Sequence, residues 1–154
     1  MRFFNIFIFT LFLSSCCAFR ECPPPLRLYP LPESTTPRAV ANRNLAFFLT
    51  GPLANENKQY QIREESDCQD TSPLSRNIQE LTMFKLAQQR NIKNEISTPD
   101  DQIDFYLCTR TVQQDGKPYL KITLRNAKTD KEFTRYEKLA EPKTVQTKPE
   151  GVES

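Results

Sequence analysis

The stretch IDFYLCTRTVQQDGKPYLKITLR, residues 103–125, decides the fold. Two β-rich runs, 103–112 and 118–125, flank Asp115-Gly116. An Asp-Gly pair between alternating apolar runs is the strongest short-range hairpin signal, because a two-residue turn needs positive φ at both positions. With Gln114 facing Lys117, the register follows. Leu107, Thr109 and Thr111 face Leu124, Ile122 and Leu120, and Phe105 extends that apolar face. The opposite face pairs Tyr106 with Arg125, Cys108 with Thr123, Arg110 with Lys121, and Val112 with Tyr119. One face then meets the core and the other meets water, as antiparallel sheets allow.

Working outward, a second turn around Lys128-Thr129-Asp130 leads to a third strand over 132–138. It is charged on both faces, which suits an edge strand. Upstream, Ser72-Pro73 opens a helix, with Ser72 as N-cap and Pro73 at the first helical position. Leu74, Ile78, Leu81 and Phe84 follow at helical spacing, and the helix is expected to run to about Asn91. Residues 59–64 alternate through Tyr60 and Ile62 as a short strand. Residues 44–50, NLAFFLT, form a short apolar run closed by Gly51-Pro52 and are expected to be a buried strand. The expected fold is α+β: a small antiparallel sheet, ending in a three-stranded meander, packed on one main helix.

Further out, residues 18–43 read as a proline-rich tether, because prolines remove backbone donors and favour extended structure. Leu26, Leu28, Tyr29 and Leu31 are its apolar anchors, and part of the run is expected to lie on the domain. At the amino terminus Arg2 precedes an apolar core, residues 3–13, shorter than the roughly 20 residues a spanning helix needs. It reads as an export signal. From residue 141 a polar, proline-punctuated tail is expected to be disordered. The division is therefore signal 1–15, tether 16–43, domain 44–140 and tail 141–154.

The chain has 154 residues, a formal charge of +2, no histidine and three glycines. Without histidine there is no Ser-His or Cys-His catalysis and no histidine metal site. Glycine-rich phosphate loops and a GxSxG elbow are also missing. The carboxylates Asp100, Asp101 and Asp104 lack the spacing of a calcium loop and read as a solvated entry to the hairpin. No enzyme activity, cofactor or metal is expected. The small, evenly spread charge gives no reason to expect a nucleic-acid partner.

Five cysteines stand at 16, 17, 22, 68 and 108. Cys68 and Cys108 are the natural pair within the domain in an oxidising compartment. The register, however, puts Cys108 on the wetter sheet face, so a bridge requires the Cys68 loop to wrap the sheet edge; otherwise Cys108 simply packs. Tyr106, Arg110, Lys121 and Arg125 make a mixed aromatic and basic sheet face, either a binding surface or the solvated side of a sheet. With Leu28 and Tyr29 they are the candidate binding residues.

Leu13-Ser14-Ser15-Cys16, directly after the apolar core, resembles the lipobox of bacterial lipoproteins. That resemblance implies cleavage before Cys16, acylation of Cys16 and attachment to a membrane. Ordinary secretory cleavage, for instance after Ala18, is the alternative. Residue 17 is not aspartate, which by analogy with enterobacterial sorting implies the outer membrane, with the domain in the periplasm. The order of strand, helix and meander, with its second turn Arg125-Asn126-Ala127-Lys128-Thr129-Asp130-Lys131-Glu132, resembles the small α/β domain of periplasmic lipoproteins. These include TolB amino-terminal-like domains, the curli-secretion lipoprotein and penicillin-binding-protein activators. Their leucine-x-aspartate-alanine-x-threonine-glycine turn has Asn126 for the aspartate and Asp130 for the glycine here. The tether run 22–31, CPPPLRLYPL, is similar to the start of auxiliary lipoproteins of lipid-trafficking ABC transporters. These resemblances imply a non-enzymatic accessory protein that binds an envelope partner. The other expectation is a secreted or surface-exposed binding protein, an inhibitor or effector, held by disulfides.

Overall fold

A computed structural model describes residues 28–68, 72–94 and 97–142. The expected lipidation site Cys16, with Cys17, Cys22 and the tail from 143, lies outside the described residues. The elements run α1 (Pro37–Thr50), β1 (Tyr60–Glu64), α2 (Pro73–Ala87), β2 (Ile92–Lys93), β3 (Phe105–Gln114), β4 (Lys117–Asn126) and β5 (Glu132–Lys138), with a short 3-10 turn at Asp100–Gln102 before β3.

The hairpin is as the sequence reading has it. Gln114 faces Lys117, and every pair from Leu107–Leu124 to Val112–Tyr119 is in the expected register. Asp115 and Gly116 both take positive φ, 51° and 73°. β5 pairs antiparallel with β4 at the sheet edge, completing the meander.

The remainder of the sheet corrects the expectation of an antiparallel one. The strand order is β2-β1-β3-β4-β5, and β1 runs parallel to both β2 and β3. The sheet is mixed because α2 is the crossover that parallel neighbours require between β1 and β2. Ile92 pairs with Tyr60 in that second parallel strand.

A second correction concerns residues 44–50, which are helical. The helix starts at Pro37 and takes in residues 37–43, which the sequence reading left in the tether. Its start has the same hydroxyl-proline pair as α2, Thr36-Pro37; Thr36 accepts a hydrogen bond from Ala39 N at 3.2 Å, whereas Ser72 makes no side-chain cap bond. Val40, Ala41, Asn44 and Phe48 are buried at helical spacing. The described residues thus hold two α-helices, not one main helix.

Both helices cover the same sheet face. Phe48, Ile78, Leu86, Leu107, Ile122 and Leu124 are the centre of that core. Removing a side chain such as Phe48 from water contributes about 2–3 kcal/mol. α2 ends at Ala87, four residues short of the expected end. Its buried arc is Ser75, Ile78, Thr82, Met83 and Leu86, whereas Phe84 points outward with 63% exposure. The leucine and phenylalanine stripe is therefore rotated from expectation. Buried Asn44 explains the rotation: its Nδ2 donates to Thr82 Oγ1 at 3.1 Å, and its Oδ1 accepts from Arg135 at 3.0 Å.

Candidate functional site

Strand alternation places Tyr106, Cys108, Arg110 and Val112 of β3 on the sheet face away from the helices. Tyr119, Lys121, Thr123 and Arg125 of β4 join them, as do Glu132, Thr134, Tyr136 and Lys138 of β5. The four residues expected on this face are thus brought together.

Arg125 sits at one end of it. Its guanidinium bonds Glu65 at 2.6 Å and 2.8 Å and Asp130 at 2.7 Å, and it lies over the Tyr106 ring, 5.1 Å from the centroid. The hydrogen bond to Glu65 raises its pKa above the ordinary arginine value, partial burial opposes the rise, and Asp130 adds to it. Arg125 therefore stays charged across all accessible pH. Glu65 and Asp130 were not singled out from the sequence. Glu65 arrives from the loop after β1, anchored by its N–H to Leu107 O at 2.9 Å. Asp130 belongs to the β4–β5 turn and takes φ 54°. Asn126 caps the turn: its Oδ1 accepts from Lys128 N at 3.0 Å and Thr129 N at 2.9 Å.

On the same end of the face Arg63 pairs with Asp100 at 2.5 Å and also donates to Thr98 O. Asp104 goes elsewhere, accepting from Gln61 N at 3.0 Å and pairing with Lys58 at 3.5 Å. Asp100 and Asp104 thus diverge to separate cations. Among the described residues no group of three or more metal-ligating side chains is placed to hold an ion.

Towards the hairpin tip the face changes character. Lys121 pairs diagonally with Glu132 at 3.3 Å. Tyr119 and Tyr136 stack edge to face with centroids 6.5 Å apart. Arg110 and Lys138 are exposed beside them. Tyr136 was not picked out from the sequence. Antiparallel pairing carried into 132–138 would have put it beside Lys121, where it is.

Cys68 and Cys108 form a disulfide, Cα to Cα 5.5 Å. β1 stops at Glu64, so the loop after it lies along the uncovered edge of β3. The Cys68 sulfur lies 3.6 Å from Thr109 O. The bridge reaches Cys108 by wrapping the sheet edge, as the register requires.

Leu28 and Tyr29 belong to a different surface. With Leu31, Pro37, Pro73 and Leu74 they line an apolar groove of about 560 Å³ at the amino ends of both helices. Tyr29 is half-buried, its hydroxyl accepts from Gln113 Nε2 at 3.0 Å, and the next residue's carbonyl accepts from Ala140 N at 2.8 Å. Leu28 remains 57% exposed. The helix residues of the groove escaped the sequence reading because the folding of 28–37 onto α2 is a tertiary event.

Among the described residues no helix is long and apolar enough to cross a membrane. No family model matches this chain, and neither a curated protein nor a solved structure matches it.

Proposed function

We propose that the chain is a lipid-anchored periplasmic accessory protein of a bacterial envelope machine, serving secretion, transport or cell-wall assembly by binding another protein. The anchor is Cys16, and by the residue at 17 the membrane is the outer one. The observation that supports the export this reading requires is the Cys68–Cys108 bridge. Disulfides persist in oxidising compartments, so the bridge supports export independently of the amino-terminal signal. The β4–β5 turn adds support. Asn126 caps it as the aspartate of the lipoprotein turn would, and Asp130 takes the left-handed φ of the glycine.

The docking surface is the outer sheet face, held by an internally paired frame around Arg125. The tether is seated on the domain by Tyr29 and Leu31, which pack against the core. The twelve-residue interval from Cys16 to Leu28 spans at most about 40 Å at ~3.1 Å per residue. The domain therefore works close to the membrane.

Cross-linking in intact cells followed by recovery of the full chain from its own envelope tests the reading. One envelope protein is recovered with the native chain and lost with Arg110→Glu. Recovery of no membrane or cell-wall protein contradicts it. Recovery of the chain and its partner from the medium instead supports the secreted binding protein.

A further inference from the structure

The outer sheet face is sorted by charge. At the end remote from the hairpin tip, Arg63 is paired with Asp100 and Arg125 with Glu65 and Asp130. Nearer the tip, directly opposite Arg110, Lys121 is paired with Glu132. At the tip end, Arg110 and Lys138 have no carboxylate within ion-pairing distance among the described residues, and between them stand Tyr119 and Tyr136. Val112 completes the patch beside Tyr119. Tyrosine and arginine side by side on an exposed surface are the composition of binding hot spots.

We infer that this patch binds an extended acidic protein segment, with two carboxylates four residues apart meeting Arg110 and Lys138 and an intervening side chain resting on the Tyr119–Tyr136 pair. The inference rests on the reading of the chain as a protein-binding module and names its partner's chemistry. The spacing follows from the sheet. Arg110 and Lys138 are two strands apart and two residues offset along them. With strands about 4.8 Å apart and a rise of about 3.4 Å per residue, their Cβ atoms are separated by roughly 12 Å. An extended chain places side chains four residues apart, on one side, at about 13 Å. The middle residue of that segment falls on β4 between Tyr119 and Lys121, against the Tyr119–Tyr136 pair. Because Lys121 is already bridged and Arg125 doubly bridged, the acidic segment competes with no internal carboxylate at its two anchor points.

The mature chain, with its disulfide formed, is titrated with the peptide acetyl-GESLSEG-amide and followed by amide chemical shifts. Shifts concentrate on residues 110, 119, 136 and 138. Replacing both glutamates of the peptide by glutamine weakens binding at least about tenfold, as loss of two complementary charges implies. Arg110→Glu with Lys138→Glu abolishes it, whereas Lys128→Glu with Lys131→Glu, the same charge change at the far turn, leaves it unchanged. Shifts centred elsewhere, equal loss with the far-turn pair, or association with phosphatidylglycerol vesicles but not with the peptide overturn the inference. If the envelope partner is still recovered when the peptide fails to bind, only this inference falls. If the peptide binds and no envelope partner is found, only the proposed function falls.

Discussion

Cys68 and Cys108 are joined across the open edge of β3, one from the loop that follows β1 and the other from the sheet face turned away from the helices. The crosslink closes a loop of sequence separation 40 that contains α2 and β2. Loop-closure entropy for that length corresponds to about 4 kcal/mol. The double variant Cys68→Ser, Cys108→Ser is expected to lose about that much in urea unfolding, and the reductant-treated native chain to match it. A native chain whose midpoint is insensitive to reductant contradicts this.

Asn44 is buried and joins α1 to α2 through Thr82 and to β5 through Arg135. Asn44→Ala leaves the Arg135 guanidinium short of an acceptor in a half-buried site. A cost of about 2–3 kcal/mol is expected, the scale for an orphaned buried polar group. Arg135 keeps its bridge to Glu137 at 2.8 Å, which limits the loss. Asn44→Asp, which retains the acceptor, is expected to cost less in the same denaturation series.

Gly116 adopts φ 73° with nothing within 4 Å of where a Cβ would stand. Gly116→Ala therefore costs only the backbone penalty of the left-handed region, about 1 kcal/mol. Unfolding measurements should show that cost while the pairing of Gln114 with Lys117 survives in amide exchange.

Arg125 is the frame of the outer face, yet its side chain keeps about a quarter of its exposure. Solvent screening holds the contribution of such a pair to about 1 kcal/mol or less. Arg125→Ala should lower stability only slightly, while faster amide exchange appears at Glu65 and in the 126–131 turn. Arg125→Lys keeps the charge but not the two-pronged geometry, and should restore only part of the protection.

These relationships separate what the residues disclose from what the tertiary structure adds. The hairpin was legible in full because Asp115-Gly116 admits one turn type and alternation does the rest. The Cys68–Cys108 geometry was legible as a condition, an edge-wrapping loop, but not as a fact. NLAFFLT misled because an unbroken apolar run has no period, and because the capping pair Thr36-Pro37 lies among prolines that suggest a tether. α2 was found, but its buried face was not: Ser75 and Thr82 are polar, and hydrophobic periodicity cannot register residues buried through hydrogen bonds. The parallel pairing of β1 with β3 joins segments about forty residues apart, beyond any local pattern. Of the candidate surface, the cross-strand partners were visible from the register. The acids that neutralise one end, Glu65 and Asp130, come from loops and were not.

The central claim is that the domain is held to a membrane through Cys16. Metabolic labelling with palmitate, followed by mass analysis of the mature amino terminus, tests it most directly. The account predicts a labelled chain beginning at Cys16, with label and membrane association both lost in Cys16→Ser. An unlabelled chain beginning after Ala18, or a Cys16→Ser chain that still matures and stays on the membrane, contradicts it.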